Sequence, residues 1–521
     1  EMTSSLVGSE MCIRDSLLGG ILLVLTKIEL ENFKSFEGKH TIDINNLTTI
    51  IGLNSSGKTN ILEGISILSN ISSGIDITAF FNKYAEMAKG NIRGGASGCC
   101  RTRKKVFGLG CTIQKNNGNF LVYSLKIDVA NEDRVYVDEE SLYELNSEGG
   151  KHLLFKTIKK EKYKGDIVVE YDNKKRGKNP RIQCDRSYSI LSQLDEKLIL
   201  NNETLNEVQK LIDNNEDKKF IEVNFLKNLK IESKNTIYND IKFVKDSIKN
   251  VQSINPNPDK VRNYVSRDNS PIFADASNLS AVLDRLITTY NHLKRRIERH
   301  KELDASGNND FFNSINERYE EQKKKYDMLL SIVKLLPEYE IKELSTIITP
   351  SPLRDVMLTC VEVHNGNDVK MPASLLSDGT IKVIAIATAL VTNPENSVLL
   401  LDEFDSGTHQ TKSFELLTKL FEIAKKRNIT LVVTTHNTSL LNQYTVEYLE
   451  GTSIVFRTKN SGNSEIINFY DLNEVEKLLA RGGLGDASLK DGLNEYLYSK
   501  KTNKVSLPEW LQNMGEGGYN G

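Results

Sequence analysis

The stretch GLNSSGKT, Gly52 to Thr59, constrains this chain more than any other. It satisfies G-x-x-x-x-G-K-[ST]. It follows an apolar β-branched run, LTTIIGL (Leu47 to Leu53), and opens a helical pattern that starts at Lys58 and continues through NILEGISILSN. A buried strand before the motif and a helix after it are the context its chemistry requires. Glycines let the loop curl so that successive backbone N–H groups face phosphate oxygens, and the helix N-terminus adds partial positive charge. Gly52, Asn54, Ser55, Ser56 and Gly57 therefore read as a phosphate cradle. Lys58 is expected to reach the β- and γ-phosphates of a nucleotide such as ATP, and the Thr59 hydroxyl to ligate Mg2+. The expected fold class is α/β.

Three further stretches complete the pattern. In SVLLLDEFD, four apolar residues lead to Asp402 at a strand end, placed for the Mg2+ shell beside Thr59. Glu403 follows and is placed to orient or deprotonate an attacking water. SVLLL (Ser397 to Leu401) and ITLVVTT (Ile429 to Thr435) are apolar runs of the buried parallel kind, with a helical stretch from Thr411 to Arg427 between them. That βαβ unit puts chemistry at its carboxyl-end loops, where His436 lies in TTHN. In LLSDGTIKVIAIATAL (Leu375 to Leu390), a Ser377-Asp378-Gly379 turn opens a long apolar helix. Capping by Ser377 or Asp378 explains part of that turn. Its free N–H groups also make an anion-ready terminus.

Phosphate loop, LSDGT, DE strand and terminal His together resemble the ATP-binding-cassette (ABC) ATPase class. Within it the likeness is to the head domains of SMC, RecF and OLD-like proteins. IELENFKSFEGKHTIDINNLTTIIGLNSSGKTNILEGI resembles their N-terminal segment, including Asn60 after the Lys-Thr pair. DEFDSGTHQ resembles their DE-x-E-x-x-x-H-P segment, with Asp405 for the second acid, His409 kept and Gln410 for Pro. The resemblance implies an ABC-type P-loop head, a mixed sheet with helices. Two heads would sandwich two ATPs, with Ser377 and Gly379 of one closing on the γ-phosphate held by Lys58 of the other. LSDGT stands where transporters carry LSGGQ, so no signature glutamine is carried over. A glutamine loop is also implied, with Gln183 and Gln193 both open as candidates.

The 521 residues are enough for two to four domains or lobes. The resemblance and the composition divide them into a leader at 1–23 and a first ATPase lobe at 24–188. A mainly helical insertion at 189–345, a second lobe at 346–470 and a tail at 471–521 follow. AVLDRLITTYNHLKRRIERH puts Val282, Leu283, Leu286, Ile287, Tyr290, Leu293 and Ile297 on one helical face. After the break at Asp304 to Asp310 a second helix runs to Leu336, so an antiparallel pair too short for an SMC-type arm is expected. Lys and Arg total 68 against 70 Asp and Glu, so any nucleic-acid contact would be a local basic patch. Lys174 to Lys178, Lys294 to Arg296 and Lys323 to Lys325 read first as solvated surface. Cys12, Cys99, Cys100, Cys111, Cys184 and Cys360 show no metal spacing and read as reduced thiols. No apolar run approaches the roughly 18 to 20 residues a membrane-spanning helix needs. The expected location is cytoplasmic, with no membrane partner.

Only about 85 residues follow His436, without a DxD pair, so a fused Toprim nuclease is not expected. The closest remaining resemblance is to stand-alone ABC-type AAA ATPases (AAA15/AAA21) of bacterial anti-phage and abortive-infection systems, such as the Septu ATPase. It implies an ATP-hydrolysing switch that forms a homodimer or higher oligomer and controls a separately encoded nuclease or toxin. The alternative is a RecF/SMC-like ATPase that binds DNA in repair or recombination. A nuclease within the insertion or tail is a third reading, for which no residues stand out. The first residues are a separate matter. LVGSEMCIRDS (Leu6 to Ser16) translates a transposase-type sequencing adapter, and Leu18-Gly19-Gly20-Ile21 can be encoded with AGGAGG, a bacterial ribosome-binding site. The leader therefore reads as non-native and the ATPase as starting near residue 24.

Overall fold

The computed structural model describes residues 25–81, 92–131, 134–158, 165–173, 176–199, 236–303, 310–336, 340–364, 366–407, 409, 412–458, 461–472 and 484. The leader and nearly all of the 471–521 tail lie outside them. Among the described residues, no helix is long and apolar enough to cross a membrane.

LTKIELE alternates buried and exposed side chains, and it forms β1 (Leu25–Glu31), antiparallel to β2 (Lys39–Asp43). LTTII has no polar face. All five residues of β3 (Leu47–Ile51) are buried, so the strand needs cover on both sides and leaves its sequence neighbours for a different sheet. The neighbours build an eight-stranded antiparallel sheet, ordered β2-β1-β4-β5-β6-β7-β8-β9. It takes in β4 (Val106–Gln114), β5 (Phe120–Asn131), β6 (Arg134–Leu145), β7 (Lys151–Ile158), β8 (Asp166–Tyr171) and β9 (Arg181–Asp185).

The second sheet runs β10-β14-β15-β3-β16-β17. Here β10 is Val251–Ile254, β14 Val398–Leu401, β15 Thr430–Thr435, β16 Thr452–Arg457 and β17 Ser464–Asn468. All pairs are parallel except the closing β16–β17 pair. A three-stranded sheet of β11 (Glu340–Ile348), β12 (Val356–His364) and β13 (Asn367–Pro372) lies apart from both.

The principal helices in chain order are α1 (Lys58–Ser72), α2 (Ile190–Ile199), α3 (Thr236–Lys249), α4 (Pro258–Val261), α5 (Leu279–Leu303), α6 (Asp310–Val333), α7 (Asp378–Thr392) and α8 (Ser413–Lys426). The parallel sheet separates two cores, with its side chains assigned by the two-residue period. Leu400 and Val432 join Ile61, Ile65 and Leu68 of α1. Leu399, Leu401, Leu431 and Val433 join Ile381, Ile384 and Leu390 of α7 and Leu417 of α8. Helices α1 and α7 thus lie on opposite faces.

Most of the described residues between 189 and 345 lie in helices. The stretch is not only an excursion, because β10 enters the parallel sheet with Val251 opposite Val398. VQSI is too short to show periodicity, which hides this strand in the sequence. Helices α5 and α6 form the antiparallel pair: Tyr290 stacks on Tyr319 and Tyr326, and Leu293 and Ile297 pack with Ile315.

Glu140 of β6 ties the antiparallel sheet to α2. Its fully buried carboxylate accepts from Tyr123 Oη (2.9 Å), Ser189 Oγ (3.0 Å), Ile190 N and Leu191 N (both 2.7 Å). Burial pushes its carboxyl up to about 7, against the pull of these four donors. Glu140→Leu takes the acceptor from all four at once and strands the Ile190 and Leu191 N–H groups, while the Tyr123 and Ser189 hydroxyls keep each other at 3.3 Å. A loss of roughly 3 kcal/mol or more is expected from urea unfolding, and an unchanged midpoint would show that the network holds nothing.

Candidate active site

The carboxyl ends of β3, β14 and β15 meet at one place. After Ile51 the chain curls through Gly52 (φ 155°), Leu53, Asn54, Ser55 (φ 63°), Ser56 and Gly57 (φ 116°) into α1. The first and last of these admit only glycine. A Cβ at Gly52 would lie 2.1 Å from the Val455 carbonyl oxygen of β16. One at Gly57 would lie 2.8 Å from Ser464 Oγ and 2.9 Å from Ser35 Oγ. Those two hydroxyls belong to a latch beneath the loop. Ser464 Oγ lies 2.7 Å from Ser35 Oγ and 2.5 Å from the Ser56 carbonyl oxygen, and Asn60 Nδ2 donates to Ser35 Oγ at 2.8 Å. No side chain caps α1, and among the described residues the buried Ser56 Oγ has no hydrogen-bond partner. A concave turn with an uncapped helix end and an orphaned hydroxyl suits oxygen-rich anions.

Lys58 is 6% exposed and folds back over the loop, its Nζ donating to the carbonyl oxygens of Gly52 (2.8 Å) and Leu53 (3.0 Å). Burial lowers its pKa, opposed by the nearby carboxylates of Glu403 and Asp402. Thr59 Oγ1 donates to Asp402 Oδ2 at 3.0 Å. Thr434, at the end of β15, joins the two acids. Its hydroxyl donates to Asp402 Oδ1 (2.6 Å) and accepts from the Glu403 backbone N–H (2.8 Å). Glu403 has φ 45°, a left-handed conformation costly for a residue with a side chain. Its Oε1 lies 3.9 Å from Nδ1 of His436, and both side chains are about half exposed (47% and 51%). Asp405 is buried and accepts from Thr435 Oγ1 at 2.8 Å, and burial raises its carboxyl pKa.

The Ser377 turn is built separately. Ser377 caps α7, its Oγ accepting from Thr380 N at 3.1 Å. Lys382, one turn into α7, donates to Ser406 Oγ at 2.6 Å, and a Cβ at Gly407 would come within 3.6 Å of Gly379. The turn is therefore docked on the loop after Glu403 and lies with α7 across the sheet from α1. Gln193 closes the turn after β9, accepting from Asp185 N (2.9 Å) and donating to Asp185 O (2.7 Å), while Gln183 is exposed on β9. Gln410 lies outside the described residues.

The structure thus brings Lys58, Thr59, Asp402, Glu403 and His436 together and leaves Ser377, Asp378 and Gly379 on a different face. It adds Thr434, Ser35 and Ser464, which the sequence reading missed. For Thr434 a signal existed, since Thr434-Thr435 precedes His436 at the strand end. For Ser35 and Ser464 there was none.

Fold and loop define a P-loop nucleotide-binding domain, a mixed α/β domain with its phosphate loop at the carboxyl end of a parallel sheet. The chain belongs to the family described as "AAA domain, putative AbiEii toxin, Type IV TA system", which matches residues 47–442, three quarters of its length. Structural maintenance of chromosomes protein 1 of Caenorhabditis elegans is 43% identical over 68 residues, 13% of this chain. That match spans only 5% of the worm protein. Among solved structures, the SMC head bound to the C-winged helix domain of ScpA matches with a TM-score of 0.41 at 11% identity, over 85% of this chain and 97% of that one. The Smc head with an extended coiled coil from Pyrococcus furiosus, bound to the C-terminal domain of ScpA, matches at 0.40 and 13%, over 88% and 98%.

Proposed function

We propose that this protein binds and hydrolyses ATP at the Lys58–Thr59–Asp402–Glu403 cluster. In this reading, closure of two copies around ATP is a switch that controls a separately encoded effector, a nuclease or toxin, in phage defence. The observation that carries the ATPase half is the Thr434 bridge, which fixes Asp402 against Thr59 and aims the Glu403 peptide with one hydroxyl.

The donor set fits a nucleotide and its metal. Gly52, Asn54, Ser55, Ser56 and Gly57 form the cradle, Lys58 turns from two carbonyls to the β- and γ-phosphates, and Asn60 holds the loop from behind. Thr59 and Asp402 supply oxygen to Mg2+, which favours one or two protein ligands together with substrate phosphates. When bound, Mg2+ neutralises charge on the phosphate oxygens. Water attacks the γ-phosphorus, Glu403 accepts its proton, and the bond to the ADP oxygen breaks to release phosphate. His436, 3.9 Å from Glu403, is placed to contact the γ-phosphate.

Dimer closure is supported by the opposite placement of α1 and α7. In the turn opened by Ser377-Asp378-Gly379, Ser377 and the backbone N–H groups serve a phosphate loop on another copy, while the Asp378 side chain is turned to Arg262. The defence half rests on the family description, with its toxin and Type IV system, and on the resemblance to the Septu ATPase.

Glu403→Gln keeps the loop and removes the base, so ATP should hold this variant as a dimer in size-exclusion chromatography with light scattering. A monomer at every ATP concentration would overturn the sandwich. Loss of plaque protection on Lys58→Ala, in cells carrying the neighbouring genes, is the expected result for the defence role.

A further inference from the structure

The Ser377 turn presents an electrostatic problem. An uncompensated carboxylate at the first position of α7, Asp378, would repel the triphosphate that this helix end must meet. Arg262 stands against it. Its Nη2 lies 2.5 Å from Asp378 Oδ1 and donates to the Leu376 carbonyl oxygen at 2.9 Å, while Nη1 reaches Asp259 at 3.1 Å. The guanidinium therefore grips the turn through its backbone and pairs with its acid, sharing its charge with Asp259, whose side chain is 91% exposed. Arg262 is firmly mounted. It closes α4, whose start is capped by Asn257 and set by Pro258, and α4 follows β10 of the parallel sheet. The loop after β10 thereby becomes a further strand-end loop at the carboxyl edge, on the same edge as those of β14, β15 and β3. Stability does not account for the pair, because the Asp378 side chain is 64% exposed and such pairs contribute little.

We infer that Arg262 is a positioning residue for ATP-driven closure: it offsets the charge of Asp378 and holds the Ser377 turn so that its N–H groups can receive the γ-phosphate of a second copy. This rests on the sandwich reading above. The charge balance makes a rescue expectation that a purely structural role does not share. With Arg262 gone, Asp378 repels the incoming phosphate, and with Asp378 also gone most of the repulsion is relieved, because the remaining Asp259 is 91% exposed and screened by solvent.

The test uses the full chain with Glu403→Gln as parent, measuring dimer dissociation by light scattering in saturating ATP and ATP affinity of dilute monomer with a fluorescent ATP analogue. Arg262→Ala should weaken the dimer roughly ten- to a hundredfold, as expected for one unit charge left close to phosphate. Monomer affinity should stay at the parent's value, since the change lies across the sheet from Lys58. Adding Asp378→Gly should bring the dimer back to within about threefold of the parent. Asp378→Gly alone should dimerise at least as well as the parent, which keeps the test informative if Arg262→Ala folds poorly. Parent-like dimerisation by Arg262→Ala, or a double variant as weak as Arg262→Ala, overturns the inference while leaving the sandwich intact. A parent that stays monomeric in ATP overturns both.

Discussion

Lys58→Ala is expected to leave the protein folded and to weaken ATP binding by roughly a hundredfold or more, the loss of a charge-assisted contact to two phosphates. The fold survives because the side chain does not fill a core. It spends its ammonium on the Gly52 and Leu53 carbonyls at the mouth of the loop, where water can replace it. Removing a buried cation also removes its desolvation cost, which burial of Lys58 makes explicit by lowering its pKa. The ammonium sits within the field of Asp402 and Glu403, so its loss leaves two carboxylates facing a triphosphate without a counter-charge. Binding then loses an attraction and meets a repulsion. Equilibrium titration with a fluorescent ATP analogue, beside urea unfolding of the same samples, separates the two outcomes. Parent-like affinity would remove Lys58 from the site, and a matching loss of stability would make the residue structural.

The phosphate loop was legible because its chemistry is local. Strand, glycines, Lys58 and helix are adjacent in the chain, and the φ values of Gly52 and Gly57 leave no alternative residue. Asp402 was legible for the same reason, since four apolar residues deliver it to a strand end. The missed parts are those that bridge distant segments. Ser464 reaches Ser35 across 429 positions, and Arg262 reaches Asp378 across 116, through contacts that leave no period or spacing in the sequence. Strand β10 was hidden among helices because four residues carry too little pattern, although its register against β14 decides where Arg262 stands. The eight-stranded sheet is only partly legible: LTKIELE carries the alternation of a half-buried strand, but the departure of β3 to the other sheet follows from burial on both faces.

At Glu403 two substitutions should separate chemistry from backbone strain. Glu403→Gln keeps the shape and the N–H donated to Thr434 but cannot take a proton from water, so kcat for ATP hydrolysis should fall by about 10²–10⁴. ATP affinity should change little, because the cradle lies on β3 and α1 and is untouched. Glu403→Gly should lose hydrolysis equally, yet it relieves a residue held at φ 45° and should gain roughly 1 kcal/mol of stability. An active-site residue whose removal stabilises the fold is held there for its function, and Thr434 is the group that holds it, through the Glu403 N–H. Single-turnover phosphate release with urea unfolding on both variants gives the comparison. If the Gln variant turns over like the parent, Glu403 is not the base. If the Gly variant is less stable than the parent, the left-handed backbone carries no strain and the Glu403 side chain contributes to packing instead.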